Sequence, residues 1–103
     1  MAEYYRYKDV AVRFDVFKDG ELTTPDQAAV LIYDPDRLFL GRFPADIADG
    51  EVRYVLNGED VEQTGTYKFV FEVKVSGLGD YTHVVNAEVE ESPVPTEVKT
   101  YVY

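Results

Sequence analysis

Residues 67–75 read YKFVFEVKV, and this stretch constrains the fold more than any other part of the chain. Tyr67, Phe69, Phe71, Val73 and Val75 share one side of an extended backbone, and Lys68, Val70, Glu72 and Lys74 share the other. Strict period-2 alternation over this length marks a strand with one face in a core and the other mostly in water. Five inward positions filled by aromatics and valines predict a long central strand. Just upstream, Val52, Tyr54 and Leu56 alternate with Glu51, Arg53 and Val55, which predicts its neighbour. Residues 57–64 form a polar connection between the two, and GEDVEQ within it is consistent with a single helical or 3-10 turn.

The rest of the chain repeats the pattern. Val10, Val12, Phe14 and Val16 alternate with Arg13 and Asp15 facing out, and Lys18, Asp19, Gly20 and Glu21 then supply a tight turn. Residues 28–33 (AAVLIY) are apolar on both sides, so this strand is expected to be buried on both faces or to meet a partner on one of them. Residues 34–37 (DPDR) are a second turn, 38–43 a short strand, and 44–50 a loop. After the glycine-rich hairpin loop at 76–80, Tyr81, His83, Val85, Ala87 and Val89 alternate on a returning strand. About seven to eight short strands with regularly spaced turn signals predict an all-β fold, an immunoglobulin-like antiparallel sandwich, with a small barrel as the alternative. The expected organisation is a Tyr-rich N-terminal arm at 1–8, the sandwich at 9–92, and a C-terminal strand or arm at 93–103 hinged by Pro93 and Pro95.

At 103 residues the chain is one domain with a modest core. It has no cysteine, which removes disulfides, thiolate metal sites and thiol nucleophiles. Twenty acidic residues against ten basic ones give a formal charge of −10, which disfavours nucleic acid and anionic membranes as partners. The opening MAEYYRYKD has no apolar h-region, so no secretory leader is expected, and no apolar run approaches the ~20 residues of a membrane span.

Chemistry-bearing constellations are sparse. His83 is the only histidine, and it is read as a rim or partly buried side chain held by hydrogen bonds. Ser76 and Ser92 lie in turns, outside any nucleophile motif, so no catalytic residue is expected and the protein is read as a non-enzyme. Asp34 and Asp36 flank Pro35, and Asp46, Asp49 and Glu51 crowd a loop. Their spacing matches no calcium loop, and aspartate in a turn already has a use in bonding to nearby backbone. No cofactor or metal is therefore expected. Gly77 and Gly79 lack a following helix and a P-loop lysine, so they read as a hairpin turn.

The tyrosines are the sharper clue. Nine occur, with Tyr4, Tyr5 and Tyr7 near the start and Tyr101 and Tyr103 at the end. Tyrosine combines a large contact area with a polar tip, which suits interfaces. Tyr4, Tyr5, Tyr7, Val98, Tyr101, Val102 and Tyr103 are the expected interface anchors, on arms laid against a neighbouring subunit. The competing reading makes both ends ordinary edge strands of their own sheet.

The stretch VRFDVFKDGELTTPDQAAVLIYDPD, then DGEVRYVLNGEDVEQTGTYKFVFEV and a hairpin ending NAEVEESP, resembles the amino-terminal domain of phage baseplate upper proteins and related immunoglobulin-like virion domains. The resemblance spans residues 10–92. It is carried by the Asp49-Gly50 turn before Val52, Tyr54 and Leu56, and by Thr64-Gly65-Thr66-Tyr67 leading into the aromatic strand. It implies a structural protein of a tailed-phage virion, such as a head-decoration, neck or tail/baseplate accessory subunit. The implied partners are other virion proteins in multiple copies, assembled in the host cytoplasm. A carbohydrate- or calcium-binding adhesion module is the alternative.

Overall fold

The computed structural model describes residues 4–76 and 79–91. Among the described residues, ten strands make an all-β sandwich: β1 (Tyr4–Tyr5), β2 (Val10–Asp15), β3 (Phe17–Lys18), β4 (Glu21–Leu22), β5 (Gln27–Tyr33), β6 (Phe39–Pro44), β7 (Asp46–Ala48), β8 (Glu51–Leu56), β9 (Gly65–Val75) and β10 (Gly79–Glu90). A five-stranded sheet has the order β1-β10-β9-β5-β6, and a three-stranded sheet has the order β2-β8-β7. Strands β3 and β4 form a separate hairpin.

The centre of the larger sheet is the strand that the alternation predicts. Tyr67, Phe69, Phe71, Val73 and Val75 are all at most 1% exposed, and their partners across the pairings are Ala87, Val85, His83, Tyr81 and Gly79 on β10. On β5, Val30 sits opposite Phe71 and Ile32 opposite Phe69, and both are fully buried. The three-stranded sheet closes over this layer with Val10, Val12, Val52 and Leu56. Ring contacts tie the layers together: Phe14 stands edge-on to Phe71 at 5.0 Å, and Phe43 stacks on Tyr54 at 5.8 Å. Burying each such side chain contributes on the order of 1.5–3 kcal/mol, so this interlayer core holds the fold.

Turn chemistry sets the registers. Asp49 (φ 50°) and Gly50 (φ 82°) both take the left-handed conformation, as a two-residue hairpin between β7 and β8 requires. At Gly50 a side chain would also meet Leu22 Cγ at 2.6 Å, so the turn packs closely on the β3–β4 hairpin. The connection from β8 to β9 holds a 3-10 turn (Gly58–Asp60), followed by Val61, which is fully buried under the sandwich. There the Tyr67 hydroxyl accepts a hydrogen bond from the Gln63 N–H at 3.1 Å, pinning the connection to the start of β9.

Two expectations need correction. Residues 44–50 are not simply a loop. Asp46–Ala48 pair with β8 because Ile47, opposite Val52, has an apolar layer to enter. Residues 4–8 join the body of the domain: Tyr4 and Tyr5 pair parallel to Val89 and Glu90, and the Tyr7 N–H donates to the Val61 carbonyl at 2.8 Å.

Candidate docking surface

The outward side of the five-stranded sheet is built by the strands that build the core. In a strand each second residue faces away, so β9 presents Thr66, Lys68, Val70, Glu72 and Lys74 on that side. Register places Val70 between Leu31 on β5 and Val84 on β10, a three-strand apolar row on an outward face. One row along, Tyr33 and Lys68 are opposite, with Phe39 beyond Tyr33 and the two rings 5.5 Å apart. Val84 is 45% exposed, Phe39 55% and Leu40 44%, whereas Leu31, Val70 and Tyr33 are half-buried. Single exposed apolar residues need no explanation, but their alignment makes this face the candidate docking surface.

The charge on this face differs from that of the whole chain. Its strand positions carry Lys68, Lys74 and Arg42 against Glu72, Asp80, Glu88 and Glu90, three positive against four negative, in a molecule of formal charge −10. Arg42 Nε donates to Glu72 Oε1 at 3.0 Å, beside the apolar row. The pair is exposed and contributes little to stability. It neutralises the border of the row.

The edges of this sheet are less open than its face. At β6 the register shifts between Ile32 and Tyr33, leaving Leu40 as the extra residue of a bulge, and Pro44 ends the strand. Bulges and prolines hinder strand addition at an edge. A second exposed apolar pair, Phe17 opposite Leu22, lies on the β3–β4 hairpin. A shallow recess of about 620 Å³ at the far end of β5, β6, β9 and β10 is lined from both sides of the sheet, by Ala28, Phe43 and Tyr81 and by Gln27, Arg42 and Thr82. It wraps the sheet's end and encloses nothing.

The tyrosines at the N-terminus are each accounted for. Tyr4 is half-buried against the core, and its hydroxyl donates to the Ala11 carbonyl at 2.7 Å. Tyr5 is half-buried in β1. Tyr7, with φ 62°, is 40% exposed; the Arg6 guanidinium sits 4.6 Å from its ring centre, and Arg6 also pairs with Glu91 at 3.1 Å. That ion pair and the bond to the Tyr7 hydroxyl raise the Arg6 pKa. This segment is thus laid along its own sheet. Val98, Tyr101, Val102 and Tyr103 lie outside the described residues.

The titratable groups singled out in the sequence have local explanations. His83 is exposed, and its ring stacks on Phe14 at 4.1 Å. Asp34 is 6% exposed; Oδ1 accepts from the Asp36 and Leu38 N–H groups at 2.9 Å each, and Oδ2 accepts from Gln63 Nε2 at 3.2 Å. Glu51 pairs with Arg13 at 3.6 Å and with Arg53 at 3.8 Å. Among the described residues, no group of three or more histidine, aspartate or glutamate side chains is placed to hold a metal ion. Burial pushes the hydroxyls of Tyr54, Tyr67 and Tyr81 above the ordinary tyrosine pKa.

The apolar row was partly foreshadowed. Residues 28–33 are apolar on both sides, and Val70 interrupts an otherwise polar face. Only the pairing register brings Leu31, Val70 and Val84 together across three strands. No helix among the described residues is long and apolar enough to cross a membrane. Comparison with protein-family models, curated proteins and solved structures finds no match.

Proposed function

We propose that this protein is a non-enzymatic docking subunit whose work is to hold protein neighbours, and that its setting is the virion of a tailed phage. The observation that carries the docking reading is the outward row of Leu31, Val70 and Val84, flanked by Tyr33 and Phe39, on a face close to charge balance. The virion setting rests on the sequence resemblance. The strand orders, with β2-β8-β7 facing β10-β9-β5, and the Tyr67 hydroxyl bonded back to Gln63 support the immunoglobulin-like reading, since such domains carry a tyrosine at this corner.

In a particle, each copy adds a small apolar contact and symmetry multiplies it. The acids on turns and loops keep the remaining surface soluble. Mass spectrometry of particles produced from the genome that encodes this chain tests the setting. It should be found there in many copies, and particles that lack it would remove the virion reading. The alternative, a carbohydrate- or calcium-binding module, has less behind it, because both Asp34 oxygens are already engaged by the turn and by Gln63.

A further inference from the structure

We infer that the outer face of the five-stranded sheet pairs with the same face of a second copy, about a two-fold axis that crosses the strands at Val70. This rests on the docking reading and names the partner of that surface. An isologous contact requires a patch complementary to itself under the two-fold. The strand registers permit that test. An axis lying across the strands keeps β9 opposite the partner's β9 and reverses its direction. Val70, Leu31 and Val84 then each meet their own equivalents. Lys68, two residues to one side of Val70, comes over the partner's Glu72, two residues to the other side. Tyr33, opposite Lys68, comes over the partner's Ala29, opposite Glu72. At these two positions large meets small and positive meets negative.

Two features favour a second copy over an unrelated partner. The face carries three positive against four negative strand positions, so two copies can approach here despite −10 on each chain. The axis juxtaposes like charges at two places: Asp80 over Glu88 at the rim, where salt screens them beyond about 8 Å at physiological ionic strength, and Arg42 over its own equivalent at the β6 end of the central row, where each guanidinium is already paired with Glu72. Face-to-face packing also leaves the bulged β6 edge unused, and it suits two twisted sheets crossing at about 30°.

Sedimentation equilibrium of the full chain, from micromolar to near-millimolar concentration at physiological salt, tests the pairing. The expected result is a monomer–dimer equilibrium weakened about tenfold or more by Val84→Asp. It should also be weakened by Lys68→Glu and restored when Lys68→Glu is combined with Glu72→Lys. Circular dichroism checks that each variant is folded. A wild-type chain that is monomeric throughout overturns the self-pairing, and so does a dimer indifferent to Val84→Asp. The broader docking reading fails on a different result: hydroxyl-radical footprinting that labels Val84 and Phe39 as strongly in the assembled particle as in the free chain.

Discussion

Two adjacent rows of the five-stranded sheet, one residue apart, have opposite fates. Val30 and Phe71 point inward and are fully buried, with His83 completing the row at the rim. Leu31, Val70 and Val84 point outward, and Val84 is 45% exposed. Across β5, β9 and β10 the outward row is aliphatic and continues into Arg42 on β6, whereas the inward one starts from Phe43 on β6 and ends in a histidine on β10. Within these three strands the hydropathy of a single row does not tell the two apart; the second layer does. The three-stranded sheet covers the inward face through Val12, Phe14 and Val52, and among the described residues no comparable layer covers the outward one.

The largest test of this contrast is Phe71→Ala. Removing a fully buried ring that contacts Phe14 should cost about 3–5 kcal/mol in chemical denaturation, and a loss well below that would mean the inner layer is loosely packed. Gly50→Ala comes next. A φ of 82° is strained for alanine and the site abuts Leu22, so about 1–2 kcal/mol should be lost in the same assay. Tyr67→Phe leaves the inner layer filled but deprives the Gln63 N–H of its acceptor, which should cost about 1 kcal/mol.

Val84→Asp sharpens the comparison from the other side. On the exposed row it should change the stability of the dilute monomer by no more than about 0.5 kcal/mol. A loss as large as that of Phe71→Ala would erase the distinction between the two faces. Finally, stability should depend on alkaline pH through the tyrosines of the inner layer. Burial raises Tyr54, Tyr67 and Tyr81 in the folded state, so this state holds their protons more tightly than the unfolded chain does. Their contribution is complete below the unfolded tyrosine pKa of about 10 and is lost as pH rises through the folded values. Tyrosinate absorbance recorded beside denaturation curves should show both effects, and unchanged stability across that range would contradict the burial.

Much of this was legible in the residues. The alternation at 67–75 foretold β9 and its buried side, and the Asp19-Gly20 and Asp49-Gly50 pairs foretold tight reversals where the backbone takes positive φ. What escaped was non-local. Asp46–Ala48 is too short to declare itself as a strand and forms one because β8 lies alongside. The Tyr4–Tyr5 segment read as an arm because its partner, Val89–Glu90, lies at the far end of the chain. The candidate surface was only half visible, since nothing local says that a valine at position 84 stands beside one at 70.

By itself, then, the sequence determined the longer strands, their turns and the side on which β9 is buried, because these depend on neighbours one or two residues away. Only the tertiary structure decided which apolar rows are covered, where Tyr4, Tyr5 and Tyr7 lie, and that Leu31, Val70 and Val84 make one surface. Those outcomes depend on pairings between residues far apart in the chain and on a second sheet that can cover only one face of the first.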